Sequence, residues 1–161
     1  MKTFLILLAA ALGGYYYYVR AGDRENPAEI TTPSYAEMRV KLEIPGRDID
    51  MVLFGKMVDE NDCRLRTEKI WQKLVENCNA CKLNVVDCKP QLAPRYAMLF
   101  DDTPISVTYM SLARGSPLER EGRMVFWGVT VDESRALCEI TRAKIQERHQ
   151  GAVTCVRNRQ S

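Results

Sequence analysis

Six cysteines carry most of the chemistry this chain could offer: Cys63, Cys78, Cys81, Cys88, Cys138 and Cys155. Cys78 and Cys81 form a C-x-x-C pair, a spacing that suits thiol-disulfide exchange, a local structural bridge, or half of a four-thiolate zinc site completed by Cys63 and Cys88. Exchange needs a thiolate stabilised near neutral pH, which oxidoreductases obtain by placing the first cysteine at a helix N-terminus. Here the pair follows a helix-like segment, so the dipole has the wrong sign and a structural bridge is expected. No metal and no cofactor is expected.

Other catalytic templates find less to work with. His149 is the single histidine and sits in a charged helix end (KIQERHQG) with no serine or cysteine presented by an elbow-like turn nearby. Asp101 with Asp102, and Glu119 with Glu121, are carboxylate pairs on loop segments, and acid-base work would need one of each pair buried against apolar neighbours. The glycines match no phosphate-cradling spacing. No catalytic residue is assigned, and the chain reads as a non-enzyme.

The compartment follows from what precedes the cysteines. Residues 3–19 (TFLILLAAALGGYYYYV) carry no charge and end in four tyrosines, which favour a membrane interface. Seventeen apolar residues lie at the lower limit for spanning a bilayer and slightly above a usual signal-peptide core. Residues 1–21 are therefore read as a membrane anchor or a signal peptide. The triplet Val19-Arg20-Ala21 keeps cleavage open. An even cysteine count behind such a leader implies disulfides in an oxidising compartment, and a bacterial inner-membrane location facing the periplasm is expected, or a secreted form if the leader is cleaved.

Setting aside Lys2 and Arg20 leaves 21 basic against 21 acidic residues beyond the leader. A domain without net charge has no global field for phosphate backbones, so nucleic acid is not expected as a partner. Residues 22–34 are polar, contain Pro27 and Pro33, and read as a linker; residues 35–161 are read as one α+β domain.

Within it the order of elements repeats. Apolar alternation over 38–44 (MRVKLEI), a Pro45-Gly46 turn, a run over 49–58, a helix after Asp62 and a strand over 83–88 are followed by runs over 105–112 and 124–131, a helix from Asp132 to about His149 and a strand over 152–156. Both helices follow a Val-Asp-Glu triplet, at 58–60 and 131–133, placing carboxylates at the positive end of the dipole. Each half is β-β-α-β, an internal repeat over 36–88 and 104–157. The fold expected is two ββαβ units forming a ferredoxin-like antiparallel or mixed sheet, with two helices on one face, stapled by disulfides.

Helical phase places Cys63, Thr67, Ile70, Leu74 and Cys78 on one face of the first helix, with Trp71 beside that stripe. Fifteen residues at about 1.5 Å each put Cys63 more than about 20 Å from Cys78, beyond the roughly 7 Å a disulfide tolerates between α-carbons. In a β-α-β crossover the first helical turn lies over the end of the following strand, which pairs Cys63 with Cys88 and Cys138 with Cys155, leaving Cys78 for Cys81. The rival pairs Cys63 with Cys81 and Cys78 with Cys88.

The connector over 89–103 (KPQLAPRYAMLFDDT) is unusually apolar. It either folds under the core or, with Tyr96, Met98, Leu99, Phe100 and Trp71, offers a patch to an envelope protein. The functional expectation is a non-enzymatic, membrane-tethered extracytoplasmic binding or assembly module of the cell envelope. A small envelope thiol-disulfide oxidoreductase using Cys78 and Cys81, or a cleaved secreted ligand-binding protein, is the alternative.

Overall fold

The computed structural model describes residues 30, 32–78 and 80–159. The leader over 1–21 and most of the 22–34 linker lie outside the described residues. Among the described residues no helix is long and apolar enough to cross a membrane.

The domain is α+β, built on one six-stranded sheet in which every recorded pair is antiparallel. Strands β1 (Ser34–Ile44) and β2 (Arg47–Met57) form a hairpin, helix α1 (Glu60–Asn77) follows, and β3 (Cys81–Lys89) returns beside β1. A connector holds a short helix α2 (Pro94–Ala97) and a 3₁₀ turn (Met98–Asp101). Strands β4 (Tyr109–Leu112) and β5 (Glu121–Trp127), helix α3 (Val131–Gln146) and β6 (Val153–Val156) complete the chain. The order across the sheet is β3-β1-β2-β5-β4-β6.

The β1–β2 turn lies where the Pro45-Gly46 dipeptide predicts it, with Gly46 at φ +88°, a conformation that only glycine adopts without a steric cost. Alternation along the strands then gives the sheet two different faces. On one, Met38, Val40, Met51 and Phe126 form a core against which Trp71 of α1 and Leu137 of α3 both pack, so the two long helices share this face. On the other, Val52, Phe54, Tyr109 and Val125 are covered by the connector through Leu99 and Val107. The connector thus folds under the sheet.

Buried polar groups tie the connector down. Arg123, 4 % exposed, donates from Nε to the Leu99 carbonyl (2.7 Å) and from Nη2 to the Phe100 carbonyl (3.1 Å), satisfying carbonyls at the end of the 3₁₀ turn. The same Nη2 pairs with Asp102 at 3.1 Å, and the guanidinium lies 4.8 Å from the centre of the Phe100 ring. The Tyr109 hydroxyl donates to the Thr103 carbonyl (2.9 Å), and burial, with Asp102 nearby, raises that phenol to about 12.

Three details differ from the sequence expectation. The first helix buries Cys63, Thr67 and partly Trp71, at spacings of four, whereas Ile70 is 41 % exposed. Trp71 therefore lies on the core stripe and Ile70 off it, because a strict i, i+4 series rotates the buried face by one residue. The run over 105–112 is strand only from Tyr109, its earlier residues serving the connector. The Val-Asp-Glu triplets are not equivalent: Asp59 is the N-cap of α1, while Thr130 caps α3 in a capping box with Glu133. Arg47 grips the Glu133 carboxylate with two bonds of 3.0 and 2.6 Å, and that grip, with the Thr130 amide, pulls Glu133 down to about 2.

Candidate functional site

All six cysteines are bonded, Cys63 to Cys88, Cys78 to Cys81 and Cys138 to Cys155, and no free cysteine occurs. The two long bridges each join a helix to the strand that follows it, as the crossover geometry requires. The Cys78–Cys81 bridge closes the exit of α1 onto β3, at the negative end of the helix dipole. A thiolate there would be destabilised, which is the wrong environment for exchange chemistry. Among the described residues, no group of three or more His, Cys, Asp or Glu is placed to hold a metal ion.

Glu119, Asp102 and the histidine are spent on structure. Glu119 accepts from the backbone amides of Gln150 (2.6 Å), Gly115 (2.8 Å) and Gly151 (3.1 Å). Burial opposes its ionisation, but these amides and the adjacent His149 outweigh burial and hold the carboxyl below its ordinary range. His149 places Nδ1 3.1 Å from Glu119 and Nε2 2.7 Å from the Ala113 carbonyl. Both ring nitrogens face acceptors within the fold, so neither is turned to a substrate. Asp102 pairs with Arg123, while Asp101 is exposed on the 3₁₀ turn. Glu121 stands at the start of β5, opposite Lys56 of β2.

A different constellation lies where the connector crosses the sheet. A cleft of about 520 Å³ is lined by Arg39, Asp50, Arg95, Tyr96, Ile105 and Trp127, with Met98 and the buried Leu99 completing its apolar wall. Arg39 reaches it from the polar face of β1, Asp50 from β2, and Trp127 stands directly opposite Asp50 on β5. Arg39 is held by Glu37 at 2.7 Å and donates to the Tyr96 hydroxyl at 2.8 Å. The Tyr96 ring packs on Phe54 (4.8 Å between centroids), and the Arg95 guanidinium lies 4.6 Å from its centre. No ion pair involving Arg95 occurs among the described residues.

The residues expected to form a partner patch are therefore divided. Tyr96, Met98 and Leu99 line the cleft, Leu99 being 1 % exposed and so part of its floor rather than of an outer surface. Phe100 lines a neighbouring recess of about 260 Å³ with Tyr35 and Leu92. Trp71 belongs to the opposite face of the sheet, in a groove of about 400 Å³ between α1 and β3 that Arg64, Thr67, Leu83 and Val86 also line. Sequence reasoning missed Arg39, Asp50, Arg95, Ile105 and Trp127 as parts of this cleft. The signals were present in the polar positions of MRVKLEI and in the arginine preceding Tyr96, but only the sheet register brings them together.

No protein-family model matches the chain, and neither a curated protein nor a solved structure is detectably similar to it.

Proposed function

We propose that this protein is a non-enzymatic binding or assembly module of a bacterial cell envelope. In this reading residues 1–21 tether it to the inner membrane, the 22–34 linker sets its distance from the bilayer, and the stapled domain faces the periplasm. Its two strand-strand-helix-strand runs are ferredoxin-like ββαβ units, repeats of one another, and an envelope protein is its partner.

The observation that carries the location is the engagement of all six cysteines in three bridges. Bridges between distant elements persist where thiols are oxidised and are rare where glutathione keeps them reduced. The binding role is supported by the connector cleft, which sets a guanidinium and an indole around an apolar floor.

Two measurements test this. Fractionation of cells should retain the full chain in the membrane pellet until detergent is added; release into the soluble fraction would replace the tethered module with a cleaved, secreted one. Affinity capture from gently solubilised membranes should recover a partner that is lost on Met98→Ser or Trp127→Ala while the far-UV circular dichroism is unchanged. Recovery unaffected by both substitutions would remove the cleft from the binding surface.

A further inference from the structure

The polar groups around the connector cleft are arranged asymmetrically, and that asymmetry defines a ligand class. Arg39 is already committed to Glu37 and to the Tyr96 hydroxyl. Arg95 instead lies over the Tyr96 ring and has no ion pair among the described residues, which leaves its N–H donors available as a fork that matches a carboxylate. The wall beside it is apolar, formed by Met98, Leu99, Ile105 and the Trp127 indole. Asp50 also lines the cleft, between Trp127 on β5 and Lys41 on β1; Lys41 is itself paired with Asp48, so the Asp50 carboxylate is left to repel a second anionic group. The volume of about 520 Å³ lies within the usual range of small-ligand sites.

Building on the reading of this protein as a binding module, we propose that the cleft binds an apolar monocarboxylate, with the carboxylate on the Arg95 fork and the apolar chain against Met98, Ile105 and Trp127. Asp50 sets the preference for one acidic group over two. The same chemistry is offered by a fatty acid and by the free C-terminus of an apolar peptide.

Isothermal titration on the full chain in nanodiscs, with empty nanodiscs subtracted, separates these. The probes are decanoate, decanol, decanedioate, and acetyl-Leu-Leu-Phe with a free or amidated C-terminus. Saturable binding of decanoate or of the free-acid peptide is expected, and whichever binds identifies the source. Decanol, decanedioate or the amidated peptide should each bind at least about tenfold more weakly, in line with loss of a charge-assisted bond or addition of a repulsive one. Arg95→Gln should remove about tenfold from the acid and nothing from the alcohol; Arg95 is exposed, so the variant folds. Equal binding of decanoate and decanol, an Arg95→Gln variant that binds the acid unchanged, or no saturable binding of either acid would overturn the proposal. If no acid binds while membrane capture still recovers a partner sensitive to Trp127→Ala, the ligand class falls and the binding module stands.

Discussion

The two halves of the sheet place their long disulfides alike but differ in how much strand the bridges hold. In the first half β1, β2 and β3 run for 11, 11 and 9 residues; in the second, β4, β5 and β6 run for 4, 7 and 4. The first half is secured mainly by its ladders. The second makes up for short ladders with side chains that bond backbone: Arg123 to the 3₁₀ carbonyls, Ser134 Oγ accepting from the Thr108 amide (3.1 Å), and Glu119 gathering the amides of Gly115, Gln150 and Gly151. The same backbone requirement is thus met in two ways, by strand pairing and by polar side chains buried beside it.

The largest expected effects compare the staples. Residues joined at a separation of 25 in Cys63–Cys88 and 17 in Cys138–Cys155 give, on the chain-entropy account, losses of roughly 3.5 and 3 kcal/mol for the respective double serine variants. Urea unfolding should show near-equal losses. A second-half loss several times larger would mean that the short strands depend on their bridge for more than restriction of the unfolded chain.

Next in size is Arg123→Met, expected to cost about 2–3 kcal/mol because it removes the buried guanidinium's bonds to the Leu99 and Phe100 carbonyls and its pairing with Asp102. Hydrogen exchange should rise in the connector and β4 and stay unchanged in the β1–β2 hairpin. Uniform loss of protection across both hairpins would erase the distinction drawn between them.

The helix caps offer a smaller, paired comparison. Asp59→Ala and Thr130→Ala should each cost about 1 kcal/mol in thermal or chemical denaturation. The two costs should be similar, since Thr130→Ala removes only the hydroxyl that accepts from the Glu133 amide and keeps the Thr130 amide that donates to the Glu133 carboxylate.

The smallest effect is an acid dependence at the junction of the halves. Asp62, on the first turn of α1, is opposed by burial but accepts from Arg120 (2.6 Å) of the β4–β5 loop and from Arg66 (2.6 Å), which together hold its carboxyl below the ordinary range. A depressed carboxylate contributes stability that is fully present above its unfolded value of about 4 and is lost as the pH falls below that, through the folded value. Asp62→Asn should therefore be less stable than the native chain at neutral pH, with the difference shrinking as pH falls from about 4. A difference independent of pH in that window would show that the fold does not favour the ionised carboxylate over the neutral one.

Much of this architecture was legible in the residues. Period-two alternation in MRVKLEI and the Pro45-Gly46 turn placed the first hairpin, and the span of a helical crossover favoured the observed bridges while leaving open the rival pairing of Cys63 with Cys81 and Cys78 with Cys88. What stayed hidden depended on register and rotation. A series of i, i+3 and i, i+4 spacings admits two neighbouring stripes, and packing against Met38 and Val40 selected the one with Trp71. The connector's destination was open because apolar residues satisfy a core and a docking surface equally; Arg123, read only as one charge among many, is the residue that fastens it beneath the sheet. The cleft gathers side chains from β1, β2, β5 and the connector, separated by up to 88 positions between Arg39 and Trp127, a proximity no local pattern encodes.

The stapled fold is tested most directly by alkylating the native protein without reductant and mapping its proteolytic fragments by mass. The account predicts no alkylated cysteine and linked fragments joining only Cys63 to Cys88, Cys78 to Cys81 and Cys138 to Cys155. Alkylation at any of the six, or fragments joining Cys63 to Cys81 and Cys78 to Cys88, would contradict it.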